Sequence, residues 1–427
     1  MPRLTQVLLL LASVSACAPP LSPGLSDELK RVRAAPRGAD SIALMRQQGE
    51  QFAHMPFVPG NQVDLLVDGP ATFAAMSDAI RGARTRIDME SYEFDNQAGG
   101  QFTDLLLAAR SRGVDVNLVY DAWGTSDTRT ALFDRLKQGG VRILEYNPIR
   151  PNDRVAIDVN RRDHRKLLCI DGQVCITGGV NISRVYENGP APQGTEPEDQ
   201  AWRDTDVRIR GPVVAQFERL FLETWASQHG IPLAPPPPAP PPQPGGLDVQ
   251  VIDGAPGDGQ PLIYRTLLAS IALSERTVHL TTGFFVPVPD MTDALIAAAR
   301  RGVDVSVVVP GQSNSSQAVW AGRAKYGPLL EAGVHIYERQ GRVLHAKTAV
   351  IDGAWSAIGS SNLDWRSAIW NNEIDAIVLG PGFGQRMEAL FKRDVAASYP
   401  IDGTAWRHRG PIQRIKELKA SLLDRFL

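Results

Sequence analysis

Cysteine is scarce, three residues in 427, so no cysteine framework staples the fold. An excess of one charge is also missing. Forty-five Lys and Arg stand against 47 Asp and Glu, a net charge of −2, which argues against a nucleic acid backbone as the main partner. A small local basic site remains compatible with that balance. Histidine is rare too, at seven. After the first residues, no stretch approaches the roughly 18 uninterrupted apolar residues that span a bilayer. What is left, 43% hydrophobic and 22% charged, is ordinary globular composition, long enough for two domains or one double-sized unit.

The first 17 residues, MPRLTQVLLLLASVSAC, carry Arg3, an apolar run from Val7 to Ala12 and small residues before Cys17. They read as a secretory signal, too short for a stable span. Val14-Ser15-Ala16-Cys17 resembles the bacterial lipobox, in which the cysteine is acylated, and several chains give stable anchoring. Ala18 follows where aspartate would favour inner-membrane retention. The expected address is the periplasmic face of the envelope, anchored at Cys17, with the outer membrane preferred. That compartment permits a bridge between Cys169 and Cys175. A second copy of their surroundings has Val350 and Ser356 instead, so both are expected as small strand-filling residues.

That second copy is the main feature of the chain. Residues 164–181 read HRKLLCIDGQVCITGGVN and residues 345–362 read HAKTAVIDGAWSAIGSSN. His, Lys, Asp, Gly and Asn recur at 0, +2, +7, +14 and +17, a pattern that one His meets by chance on the order of once in 10⁵. RGVDVNLVY (112–120) answers RGVDVSVVV (301–309), GGVRILEY (139–146) answers AGVHIYER (332–339), and DTDVRIRGP (204–212) answers EIDAIVLGP (373–381). A proline-rich linker, 234–246, separates the copies and reads as a stiff extended spacer. The expected halves are 57–233 and 247–406, with 18–56 a membrane-proximal spacer ending in a possible helix. Valine-rich strands alternate with helices in each half, which implies an α/β fold with a mostly parallel sheet. Two such repeats would form a pseudo-twofold bilobal unit with one shared active site.

One His-Lys-Asn set is half a site. Two sets facing across a pseudo-twofold axis suit a phosphodiester: one imidazole attacks phosphorus, the other donates to the leaving oxygen. Lys166, Lys347, Asn181 and Asn362 would hold the non-bridging oxygens. No metal or other cofactor is expected. Asp171 and Asp352 belong to the motif, yet lie an odd number of residues from His164 and His345, on the other strand face. Asp-Gly is a hairpin dipeptide, so they are expected to fix the turns. Asp204 and Glu373 occupy equivalent places, 40 and 28 residues after their histidines, where a carboxylate could orient an imidazole.

The two motifs, H-x-K-x4-D-x6-G-G/S-x-N, resemble those of the phospholipase D superfamily. WRDTDVRIRGPVV, LLEAGVHIYE, LHAKTAVIDG and GSSNLDWRSAIWNNE are similar to bacterial cardiolipin synthases in particular. The resemblance runs from about residue 60 onward. It implies metal-independent phosphatidyl transfer through a phosphohistidine, with His164 as nucleophile and His345 as acid and base. The implied substrates are phospholipids, two phosphatidylglycerols giving cardiolipin and glycerol, at a membrane surface. A phospholipase D-type hydrolase shares every residue named; a nuclease or a non-enzymatic envelope protein fits less well. Asn314 and SYEFDN (91–96) depart from the family pattern.

Two apolar features complete the reading. In GFFVPVPD (283–290), Phe284 and Phe285, with Trp365 and Trp370, are expected to form a lipid entrance beside the site. Residues 407–427 predict a basic amphipathic helix with Ile412, Ile415, Leu418, Leu422 and Phe426 on one face. Such a helix lies on an anionic lipid surface or caps the second core.

Overall fold

The computed structural model describes residues 40–148, 160–187, 201–255 and 261–424. The signal and lipobox reading at 1–17, and Phe426, lie outside these residues. The described chain opens with helix α1 (Ser41–Ala53), capped by the Asp40 carboxylate, which accepts from the Ile42 and Ala43 amides. The first half then runs β1 (Val58–Val67), α2 (Asp68–Gly82), β2 (Arg86–Ser91), α3 (Ala98–Ser111), β3 (Asp115–Asp121), α4 (Thr130–Gln138) and β4 (Arg142–Tyr146). A hairpin of β5 (Leu167–Ile170) and β6 (Val174–Gly178) carries the first motif, followed by β7 (Thr205–Arg210) and α5 (Val214–Ser227).

The second half repeats the plan with β8 (Leu247–Asp253), α6 (Leu262–Leu273), β9 (Thr277–Thr281), α7 (Pro289–Arg300) and β10 (Asp304–Pro310). Helices α8 (Ser316–Arg323) and α9 (Tyr326–Glu331) lead to β11 (His335–Arg339). The second motif hairpin is β12 (Thr348–Ile351) and β13 (Trp355–Gly359), then β14 (Ile374–Leu379) and α10 (Pro381–Ala396). A short strand β15 (Ser398–Pro400) and helices α11 (Gly403–Arg407) and α12 (Pro411–Ser421) follow.

All the strands join one sheet in the order β15-β11-β10-β9-β12-β13-β14-β8-β1-β7-β6-β5-β2-β3-β4. The order reads the same outward from the antiparallel β1–β8 pair, where Val58 faces Val249. The sheet is less parallel than the strand–helix alternation implies. Parallel pairing is confined to β2-β3-β4 and β9-β10-β11. The motif hairpins and their neighbours pair antiparallel, because a tight turn rather than a crossover helix joins them. Strands β3 and β10 are buried on both faces, as their valine runs require.

Each motif turns where the sequence places Asp-Gly. Asp171 and Gly172 have φ of 54° and 65°, Asp352 and Gly353 of 52° and 67°, the left-handed central pair of a tight turn closed by the Gln173 and Ala354 amides on the Ile170 and Ile351 carbonyls. The Asp171 carboxylate accepts from the amides of Arg84, Thr85 and Arg86 at 2.7–2.8 Å. Asp352 accepts likewise from Glu275, Arg276 and Thr277 at 2.8–3.0 Å. Both acids therefore tie the hairpin to the start of the adjoining strand.

Two expectations need correction. Cys169 and Cys175 form a disulfide; the hairpin register sets them directly opposite each other, with Cα atoms 4.2 Å apart, the spacing of a non-hydrogen-bonded cross-strand pair. Residues 41–53 are not spacer: α1 lies on α6 of the second half and buries Met45, Phe52 and Ala53 in the main core. The proline-rich segment is extended, as expected, and lies along the first half. The Pro238 carbonyl accepts from Gln173 at 3.0 Å, and Arg86 donates to the Ala234 carbonyl.

Candidate active site

The strand that leads into each motif begins by pairing across the two halves. The His164 amide donates to the Asn372 carbonyl at 2.9 Å, and the His345 amide to the Arg203 carbonyl at 2.8 Å. These bonds set each histidine beside the residue that follows its partner. His164 Nδ1 lies 3.0 and 3.1 Å from the two Glu373 carboxylate oxygens, and His345 Nδ1 lies 2.7 Å from Asp204. Each imidazole thus takes its carboxylate from the opposite half. The repeat places Asp204 and Glu373 at equivalent positions without saying which histidine each faces; the chain crosses them between halves.

Both carboxylates are fully buried and closely held. Glu373 accepts from Ser360 Oγ at 2.5 Å, Ser367 Oγ at 2.7 Å and Asn371 at 3.2 Å. Asp204 accepts from the Thr205 amide at 2.8 Å and from the Tyr186 hydroxyl at 3.1 Å. Burial opposes their ionisation, but the facing histidines and the motif lysines outweigh it and hold both below the usual carboxyl range. An ionised acid on Nδ1 demands Nδ1–H there, which leaves the Nε2 lone pair of each ring free.

His164 and His345 line one cleft of about 210 Å³ that opens to solvent, with Asn181, Asn362, Phe284 and Asn314 among its walls. The Tyr92 ring stands edge-on to His164 at 4.9 Å, and Trp202 lies 5.1 Å from His345. Lys166 and Lys347 are buried behind the histidines, each donating to the carbonyl of its own motif histidine. Burial lowers all four basic groups. It holds His164 to about 4, His345 to about 3, Lys166 to about 8 and Lys347 to about 7. The same burial raises the carboxyls of Glu93 and Asp364 on the cleft wall, so the empty site disfavours charge of either sign. An anion entering the cleft supplies negative charge and favours protonation of every one of the four basic groups.

The other expected residues separate. Asp171 and Asp352 stand at the hairpin turns described above. Phe284 lines the cleft. Phe285 does not: it is 3% exposed and belongs to the second core, 6.3 Å from the Tyr326 ring. Neighbours on an extended segment point to opposite sides, so only one of the pair can face the site. Trp365 packs partly buried against the main core, and Trp370 is half-buried. The Asn181 side chain accepts from the Glu93 amide at 3.4 Å, and the Asn362 amide donates to Ser367 at 3.0 Å. Sequence reasoning missed Arg162, Glu93, Asp364, Arg366 and Asn371, all on the cleft wall. None recurs at matched places in the two copies, so the repeat is silent on them.

Among the described residues, no group of three or more His, Cys, Asp or Glu is placed to hold a metal ion, and no helix is long and apolar enough to cross a membrane.

A family model described as the cardiolipin synthase, phospholipase D-like domain matches residues 76–189 and 267–395. Cardiolipin synthase A of Pectobacterium atrosepticum is 32% identical over 402 residues, 91% of this chain and 81% of that protein. Cardiolipin synthase A of Yersinia pseudotuberculosis is 32% identical over 369 residues, 84% and 74% of the two chains. Among solved structures, phosphatidylserine synthase of Haemophilus influenzae superposes with a TM-score of 0.68 at 12% identity, over 90% of this chain and all of that one. That likeness carries the fold alone. With two motif copies, one cleft and these relatives, the chain belongs to the phospholipase D-like cardiolipin synthase family, as an enzyme of the phosphatidyltransferase kind.

Proposed function

We propose that this enzyme joins two phosphatidylglycerol molecules into cardiolipin, with release of glycerol, through a phosphohistidine on His164. The observation that carries the reading is the crossed pair of carboxylate contacts, both on Nδ1, which leaves two Nε2 atoms free in one cleft. His164 Nε2 attacks phosphorus of the first lipid as the bond to its glycerol headgroup breaks. His345, protonated once the phosphate's charge is present, gives its proton to the departing glycerol oxygen. A headgroup hydroxyl of the second lipid then loses its proton to neutral His345 and attacks phosphorus, and the P–N bond breaks. Lys166, Lys347, Asn181 and Asn362 hold the non-bridging oxygens while charge builds on them. Phe284, at the cleft wall, offers apolar surface to an acyl chain.

The cleft has a further use for its volume. At about 210 Å³ it falls below the roughly 300–1,000 Å³ of drug-sized ligand pockets, with room for headgroup atoms around the phosphorus but not for four acyl chains, which must remain in the bilayer. The test is to incubate the purified full chain with phosphatidylglycerol and identify the lipid products. Cardiolipin with an equal release of glycerol is expected. Phosphatidic acid as the main product would assign the enzyme to hydrolysis instead.

A further inference from the structure

Helix α12 is built inside out. A surface helix normally turns its apolar stripe inward. Here Ile412, Ile415, Leu418 and Leu422 are 71, 53, 64 and 76% exposed, while Glu417 and Ala420 are buried at 3 and 7%. At about 100° per residue, the four exposed side chains fall within an arc of roughly 120°, opposite the buried pair. Of the seven exposed large hydrophobic residues among the described ones, four are on this single segment. The polar side has internal partners. Glu417 accepts from Arg409 at 2.7 Å, and Asp424 accepts from Lys325 at 2.8 Å. The local acidic charge is thereby spent, and Arg414, Lys416 and Lys419 stand exposed beside or within the apolar stripe.

The helix is also anchored at a particular place. Ala420 packs with Val286 and Ala321, and Lys416 lies over the Trp320 ring at 4.9 Å, with Arg323 at 4.8 Å. Val286 is two residues from Phe284 on the cleft wall. The outward stripe therefore sits one packing layer behind the loop that borders the active site.

We propose that α12 is an interfacial seat that presses its Ile–Leu stripe into the surface of an anionic phospholipid bilayer, with Arg414, Lys416 and Lys419 on the headgroup phosphates. Apolar side chains at the acyl boundary flanked by cations are the arrangement such a surface favours. A second copy of the chain suits the stripe less well, since the flanking cations of two copies would face each other. The seat rests on the helix alone; its service to the cleft rests on the transferase reading.

The chain's first residues include their own apolar run, so vesicle binding by the whole protein is not diagnostic and the readout must be local. Hydrogen exchange of the peptide covering 411–422 is measured in the full chain. It is compared without vesicles, with phosphatidylcholine vesicles, and with an equal mixture of phosphatidylcholine and phosphatidylglycerol. Slower exchange is expected with the mixed vesicles, weakening as salt is raised. In I415E/L418E the vesicle concentration giving half protection should rise by roughly tenfold per substituted side chain. An unchanged melting temperature would show that these exposed positions leave the fold intact. No protection by mixed vesicles, or equal protection by both vesicle types, overturns the proposal. Protection that grows with protein concentration in the absence of lipid also overturns it, in favour of self-association. If the enzyme proves not to be a transferase, the vesicle protection should still be found.

Discussion

The crossed carboxylates make Glu373→Gln the most searching perturbation. Glutamine fills the same space but keeps only one oxygen, whereas Ser360 and Ser367 donate to different carboxylate oxygens at 2.5 and 2.7 Å, so one serine loses its acceptor. The substitution removes the charge that His164 Nδ1 meets at 3.0 Å. An amide NH₂ facing that nitrogen favours the tautomer with the proton on Nε2, so the nucleophilic lone pair turns away from the cleft. Lys166 also loses a counter-charge that sustains its protonation, already reduced by burial to about 8. The comparable change in an acid–histidine–nucleophile triad costs about 10⁴ in kcat; here a loss of roughly 10³–10⁴ is expected, or about 4–5 kcal/mol of transition-state stabilisation. Rapid-quench measurement of phosphoenzyme, with a melting curve as control, checks it. Although Glu373 belongs to the second half, its variant should behave like a lesion of His164 and form phosphoenzyme slowly. Asp204→Asn should instead impair proton transfer at His345. A Glu373→Gln enzyme retaining more than about a tenth of wild-type kcat would refute the tautomer argument. So would normal phosphoenzyme formation with only the second step slowed.

His164→Ala and His345→Ala should each lower turnover by at least about 10³, with phosphoenzyme accumulating only in His345→Ala; phosphate recovered on His345 in the wild type would reverse the roles. Lys347→Met should inactivate the enzyme yet raise its melting temperature. Burial lowers this lysine from its ordinary 10.5 to about 7, so the folded state resists the proton that the unfolded chain accepts. The penalty is complete below pH about 7 and disappears as pH rises past about 10.5, and the variant's advantage, roughly 3–5 kcal/mol at most, should follow that course. A Lys347→Met melting temperature equal to or below wild type at pH 6 would show that the charge is well solvated. Chelators should leave the rate unchanged; activity lost in EDTA and restored by a divalent ion would mean the histidines act with a metal.

Much of this site is legible in the chain because two physical constraints act locally. His and Lys two apart share a strand face, and Asp-Gly returns the hairpin, so the spacing alone assigns Asp171 and Asp352 to turns. The equivalence of Asp204 and Glu373 came from the repeat. Their exchange between halves did not, because it depends on backbone pairing of residues 163 and 203 with residues 372 and 344, contacts that no periodicity encodes. The same limit hid the role of α1, whose apolar residues match the second core only after the chain has crossed to it. Phe284 and Phe285 look alike in sequence, yet an extended backbone must send one to the cleft and the other to the core. The cysteines were misread because Val350 and Ser356 in the second copy suggested a packing role; only the cross-strand register shows the two sulfurs facing each other.

The interchange of acids between halves also governs when the enzyme becomes dangerous to its surroundings. A chain halted in synthesis before the proline-rich segment possesses one histidine, His164, whose steering acid, Glu373, is missing. Its ring is free to hold the unproductive tautomer and has no second imidazole to take or give a proton. On the proposed mechanism such a fragment is silent toward phosphodiesters, and activity requires both halves.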